Sequence, residues 1–159
     1  MTGIQMLRTS ETVAMEPAGI ECLLFRCSGR LLACETSQAA KVLRPPRLVP
    51  LPRASGAVVG LFNYRGRVIG AIDLAPLLGL GQAADRGCPW LVVLKGKQFL
   101  AGLLVDDVLG IEFLPTDSLV SADAAQPVFL PMAFELHGAA AALLSVETLL
   151  ANPAVIVSQ

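Results

Sequence analysis

A closed, mainly β fold built from short strands is what this sequence predicts, and three observations carry the expectation. Short apolar segments recur along the chain, each bounded by glycine, proline or small polar residues, which is the punctuation of strands and hairpins. Helical signals are brief, and proline or glycine cuts each of them off. In a chain of only 159 residues, closing the sheets removes edges that short strands would otherwise expose.

The elements follow in order. Residues 21–27 and 31–35 are apolar segments around Ser28-Gly29, a hairpin signal. Thr36 or Ser37 is placed to cap a short helix running to Lys41 or Leu43, with Gln38, Ala39 and Ala40 inside it and Pro45-Pro46 ending it. Pro50 and Pro52 hold residues 48–52 extended, and residues 55–61 read as a turn or short helix. Arg67–Ile72 reads as a strand. Asp73 caps a brief helix over 74–78, its carboxylate suited to the exposed N–H groups, and Gly79-Leu80-Gly81 stops it.

Residues 82–87 form a polar loop, the expected internal joint. A second hairpin joins 90–94 to 98–105 around Lys95-Gly96-Lys97. Asp106-Asp107 opens a turn into a strand at 108–113, and 115–127 is polar and irregular. Around Gly138 two tendencies conflict. Ala139 to Ala142 favours helix by intrinsic preference, whereas a Gly138 turn between strands fits the hairpin rhythm, and strand is the expectation. Helix over Val146–Leu150 follows, closed by Asn152-Pro153.

Composition narrows the function. Apolar residues make up 54% and charged residues 16%, an apolar excess that suits protein contacts. Asp106, Glu112, Glu135 and His137 break up the candidate apolar runs, so none reaches the roughly 18 residues of a membrane span. Residues 1–19 hold charges and no long apolar core, so they read as a tail rather than a secretion signal, and a cytoplasmic protein is expected. The domain is expected over 20–151, with a short tail at 152–159. Bases dominate 21–67 and acids dominate 68–159, a polarity able to orient a docking partner or simply to sit on a solvated surface.

Enzyme chemistry finds little support. Cys22, Cys27, Cys34 and Cys88 form no Cys-x-x-Cys pair, and His137 is the sole histidine, so neither a metal site nor a cofactor is expected. Cys22 and Cys34 lie in apolar runs and behave there as small hydrophobes. Nothing orients His137 as a base for Cys88. Asp106-Asp107 reads as a solvated turn, and Gly79-Leu80-Gly81 follows a helix rather than opening one, which argues against a phosphate loop. Basic residues from Arg44 to Arg67, with Phe62 and Tyr64 between them, admit a small-barrel nucleic-acid binder as a distant alternative.

One turn stands apart. Phe62-Asn63-Tyr64-Arg65-Gly66 crowds an amide, a guanidinium and a glycine between two apolar segments. As structure, Asn63 can adopt a left-handed backbone and bond its own turn, and Gly66 can take positive φ. As function, Arg65 is a planar multi-donor group suited to an interface, flanked by Phe62 and Tyr64. Both readings stay open on spacing alone.

The stretch from Val58 to Leu74 resembles the signature of CheW-like chemotaxis coupling proteins: apolar-x-Gly-x-x-Asn-x-Arg-Gly-x-apolar, then a strand ending in Asp-Leu. Glu21-Cys22-Leu23-Leu24-Phe25 resembles that family's opening strand, and Leu48-Val49-Pro50-Leu51-Pro52 its proline-bearing approach. Residues 98–110, with Val105-Asp106-Asp107-Val108, resemble a stretch of its second subdomain, and Gly138, Leu143-Leu144 and Leu149-Leu150 its closing strand and helix. The resemblance covers about residues 20–151.

The resemblance implies two intertwined five-stranded SH3-like β-barrel subdomains with a few short helices. It implies a non-enzymatic, cytoplasmic adaptor that couples the cytoplasmic tips of methyl-accepting chemoreceptors to the regulatory domain of a CheA-type histidine kinase, clustered at receptor arrays, without nucleic acid or membrane insertion. Asn63, Arg65 and Gly66 match the turn facing the receptor side, with Phe62 and Tyr64 beside them. Ala39 and Lys41 fall on the family's short helical segment near that turn. Two positions depart from the family pattern: Lys41 stands near a usual glutamate that pairs with the arginine, and Gly70 replaces a usual proline. A related scaffold of a pilus-motility or second-messenger pathway is the alternative.

Overall fold

The computed structural model describes residues 18–51, 56–84 and 86–156. The expected N-terminal tail through residue 17, Pro52, Ser55, Asp85 and residues 157–159 lie outside them. The strands are β1 (Gly19–Cys27), β2 (Arg30–Glu35), β3 (Ala39–Leu43), β4 (Val58–Tyr64), β5 (Arg67–Ile72), β6 (Trp90–Lys95), β7 (Leu100–Val105), β8 (Asp107–Pro115), β9 (Val120–Ser121), β10 (Met132–Leu136) and β11 (Ala139–Leu143). Helix α1 covers Val146–Leu150, and 3-10 turns form at Thr36–Gln38, Ala75–Leu78 and Thr116–Ser118.

Two sheets result, ordered β8-β1-β2-β11-β10-β9 and β3-β6-β7-β5-β4. Both ends of the described chain build the first sheet and its middle builds the second, so the expected interleaving is present. The first sheet has six strands rather than five, the sixth being the two-residue β9. Loop 81–89 joins β5 to β6 within one sheet, so it is not the internal joint. The chain changes sheets at Thr36–Gln38 and again at Asp106.

Strand alternation explains how the sheets fill space. On β1, Leu23 and Phe25 enter a core shared by both sheets, while Cys22 and Leu24 face the opposite side. On β6, Val92 and Leu94 enter the shared core, while Leu91 and Val93 face away. Central strands buried on both faces account for the apolar excess. Outlying strands meet across each outer face. Leu43 of β3 and Phe62 of β4 share one cluster, and Leu114 of β8 and Phe134 of β10 share the other. Each sheet therefore bends around its own filling.

Three hairpins use the same device. Ser28-Gly29, Arg65-Gly66 and His137-Gly138 all have positive φ at both residues, the pattern of a two-residue type I′ turn. At Gly138 the hairpin prevails over the helix preference of the alanines, because β11 gains ladder pairing with β10 and parallel pairing with β2.

Several local expectations are corrected. The helix expected to run to Lys41 or Leu43 is a single 3-10 turn without a side-chain cap. Ala39 and Lys41 lie on β3, where the backbone pairs with β6 on either side of a register shift. Residues 58–61 are strand rather than turn or helix. Asp73 does not occupy the cap position, which Leu74 holds, but its Oδ1 still accepts from the Ala75 N–H at 3.1 Å. The expected C-terminal tail is tied in as far as residue 156. Ala57 N–H donates to the Ala154 carbonyl at 2.9 Å, and Val155 joins the shared core.

Candidate docking site at the hairpin tip

The Asn63 to Gly66 turn divides its labour. Asn63 Oδ1 accepts from the Gly66 N–H at 3.0 Å, closing the turn from within. Gly66 has φ of 82°, a conformation without penalty for glycine. The left-handed non-glycine residue is Arg65, with φ of 52°, and not Asn63 as the sequence suggested. Phe62 is 4% exposed and packs inward, so it supports the turn from beneath and is unavailable to a partner. Tyr64 is half-buried, and the Arg65 guanidinium carbon lies 5.3 Å from its ring centroid.

Lys41 carries a positive charge and cannot itself pair with Arg65. Among the described residues the one ion pair is Arg86–Asp73, so no described acid holds Arg65. Arg65 is exposed. Apart from its approach to the Tyr64 ring, Arg65 has no ion-pair partner among the described residues, so its guanidinium is open to a further contact.

Topology then brings distant residues to this tip. Strands β5 and β7 run parallel, in register at Ala71↔Gly102. The turn before β5 and the loop before β7 therefore share one end of the sheet. Strand β3 starts at that end too, opposite Leu94 of β6. The register shift between Ala39 and Lys41 leaves Ala40 as an unpaired bulge residue. The result is an open cleft of about 620 Å³ lined by Ala40, Tyr64, Arg65, Arg67, the Lys95 to Phe99 loop and Leu100. Ala39 and Lys41 themselves are not among its lining residues.

Sequence reading missed Arg67, Lys95, Lys97 and Phe99 as parts of this site. Their signal was a Lys-Gly-Lys hairpin tip of the same charge as Arg65. Only the β5–β7 parallel pairing places it beside a turn some 30 residues earlier. A neighbouring apolar groove lined by Leu61, Val68, Phe99, Leu150 and Ile156 is continuous with the cleft through Arg67, Phe99 and Leu100. Gly70, the second departure from the family pattern, opposes Leu61 and lines that groove. Helix α1 props the lysine loop. Glu147 Oε2 accepts from the Lys97 N–H at 2.6 Å, and Gly96 leaves room for Leu150.

The other candidates are placed elsewhere. His137 sits at the tip of the β10–β11 hairpin in the first sheet, and Cys88 precedes β6 of the second. Cys88 Sγ lies 3.7 Å from Asp106 Oδ1. Asp107 Oδ1 accepts from the Val108 N–H, a local turn bond. No group of three potential metal ligands forms among the described residues. Burial pushes the Cys27 and Cys34 thiols up to about 12 and Cys22 up to about 11, with nearby carboxylates adding to the rise. Such thiols are inert fillers, as expected for Cys22 and Cys34. No described helix is long and apolar enough to cross a membrane.

Two interleaved β-sheets with a cation-lined surface cleft make this a mainly β domain. Comparison with known proteins gives it a family. The CheW-like domain model matches residues 21–154, so the chain belongs to the CheW-like family, whose members are scaffolds and adaptors. Protein PilI of Pseudomonas aeruginosa is 33% identical over 94 residues, 59% of this chain and 53% of that protein. Protein FrzA of Myxococcus xanthus is 30% identical over 100 residues, 63% of this chain and 62% of that one. Chemotaxis protein CheW of Thermotoga maritima is 30% identical over 101 residues, 64% of this chain and 66% of that one. The match thus spans about half to two thirds of these relatives' lengths. The crystal structure of scaffolding protein TtCheW from Thermoanaerobacter tengcongensis shares the fold. Its TM-score is 0.75 at 18% identity, covering 88% of this chain and 93% of that one.

Proposed function

We propose that this protein is a non-enzymatic cytoplasmic adaptor that couples a chemoreceptor's cytoplasmic tip to the regulatory domain of a CheA-type histidine kinase. The observation that carries the reading is Arg65: exposed, backbone-strained and without a described acid, at the rim of a cleft built from three separate strand ends. The tip built by Asn63 and Gly66 presents Arg65 and Tyr64 to the receptor. Another face of the two sheets takes the kinase. Receptor signals pass as a bias between two kinase states, which requires the assembled complex to hold one state more tightly than the other.

A second pathway is open to the same adaptor. The relatives include PilI and FrzA beside CheW at nearly equal identity, so a pilus-motility or second-messenger pathway fits as well as flagellar chemotaxis. The test is affinity capture on the full chain from its own cell extract, with the captured proteins identified by mass spectrometry. The reading expects a CheA-type kinase and a chemoreceptor, and the receptor identified will assign the pathway. Recovery of neither overturns it.

A further inference from the structure

We infer that strand β8 is a self-recognition edge, and that two copies of this chain pair β8 to β8, antiparallel about a two-fold axis at Ile111. The inference goes beyond the adaptor reading and does not depend on it. The two sheets have four edge strands: β8, β9, β3 and β4. Three of them carry the usual protections of an edge. β9 is two residues long. β3 bears exposed Lys41 and a register shift. β4 is covered at its middle, where Val49 and Leu61 each donate an N–H to the other's carbonyl at 2.8 Å. β8 is nine residues long, pairs with β1 alone among the described residues, and carries neither lysine nor arginine. Its register shift against β1 falls at Leu109, and residues 110–115 run in unbroken register. Leu109, Ile111 and Phe113 stand exposed at alternate positions along it, at 44%, 59% and 53%.

The occupant follows from the register. A helix laid on this stripe would bury its side chains and leave the backbone edge unpaired, whereas an added strand satisfies both. In an antiparallel pair centred on Ile111, that residue faces its own counterpart, and Leu109 of each copy faces Phe113 of the other. All three apolar residues then meet apolar residues, which is the self-complementarity a two-fold interface requires. Neither acid of the strand stands opposite an acid, because Asp107 faces Pro115 and Glu112 faces Gly110. The one like-charge approach is Glu112 to its counterpart, on a diagonal of roughly 7–8 Å, where repulsion is partial. Phe113 is already set for the contact. Gly19 of β1 lies under its ring, where a Cβ would collide with it. Three side chains and one strand edge per copy fall short of the roughly 1,200–2,000 Å² of a stable interface, so the pairing is weak and governed by concentration.

The test is sedimentation equilibrium on the full chain from about 10 µM to about 1 mM, where a monomer–dimer equilibrium is expected. Ile111 is mostly exposed, so a charge there leaves the fold intact, which equal thermal midpoints in dilute solution check. Ile111→Glu and Ile111→Lys, each alone, set like charges face to face and should raise the dissociation constant about tenfold or more. An equimolar mixture of the two should recover dimers, because glutamate then faces lysine. Loss of fold cannot produce that rescue, and it requires the residue to face itself. A native chain that stays monomeric throughout the range overturns the inference. So does a mixture no more dimeric than its separate components. Hydrogen exchange on the native chain needs no variant. Protection of the β8 amides should grow with concentration. Full protection already present in the dilute monomer would assign the edge to a segment of the same chain and overturn the inference as well.

Discussion

Arg65 holds a backbone conformation that costs an L-residue about 1 kcal/mol or more, and no described ion pair offsets it, only the approach of its guanidinium to the Tyr64 ring. Asparagine suits that position better, since Asn-Gly is the favoured type I′ pair. Arg65→Asn is therefore expected to leave the thermal midpoint unchanged or raise it, by up to about 1 kcal/mol of stability, while receptor binding falls. A calorimetric scan beside a binding titration checks both. Clear destabilisation would make Arg65 a structural residue. The buried thiols give a second expectation at this scale. Their folded pKa values lie above the unfolded ones, so the folded chain keeps protons that the unfolded chain releases. Stability is then whole below about pH 9 and declines as pH rises toward the folded values of about 11 and 12. Urea melts at about pH 8 and pH 10.5 should show a smaller pH-dependent loss for Cys34→Ala than for the native chain. An equal loss would show that this thiol contributes nothing to it.

At the scale of elements, the β5–β7 contact positions the site. Gly102 of β7 lies under the Phe62 ring, and a Cβ there would come within 2.8 Å of two ring carbons and 2.9 Å of Leu91 Cδ2. Phe62 and Leu91 are both buried and have nowhere to retreat. Gly102→Ala is expected to cost about 1–3 kcal/mol and to disturb the lysine loop relative to the turn. A chemical melt measures the first, and amide shifts at Arg65 and Lys97 report the second. Most of the elements were legible in the sequence, because hairpins such as 28–29 and 137–138 are written locally in their glycines. The run from Ser37 to Leu43 misled for a physical reason. Its alanines and lysine are intrinsic helix formers, yet a long-range ladder to β6 decides the outcome.

At the scale of the molecule, interleaving explains what the sequence hid. The basic stretch 21–67 and the acidic stretch 68–159 are joined within one sheet, where β1 and β8 pair across that divide with Arg26 opposite Asp107. Concentrated charge survives at the hairpin-tip cleft, where residues from 40 to 100 converge. Half of the candidate site, the turn itself, could be read from its motif. The other half depends on a parallel strand pairing that no local pattern announces. One core joins Leu23 and Phe25 of the first sheet to Val92 and Leu103 of the second, so unfolding should be a single cooperative event. Circular dichroism and Trp90 fluorescence are expected to report one midpoint, and two separated midpoints would show independent subdomains.

Bridging is the central claim, and a three-component retention measurement tests it most directly. A CheA-type regulatory domain is immobilised, and a soluble chemoreceptor tip fragment is passed over it with and without this protein. The receptor fragment should be retained only when the protein is present. With Arg65→Glu the protein should still be retained while the receptor fragment passes through. A receptor fragment that is never retained, or is retained equally with native protein and Arg65→Glu, would contradict the account.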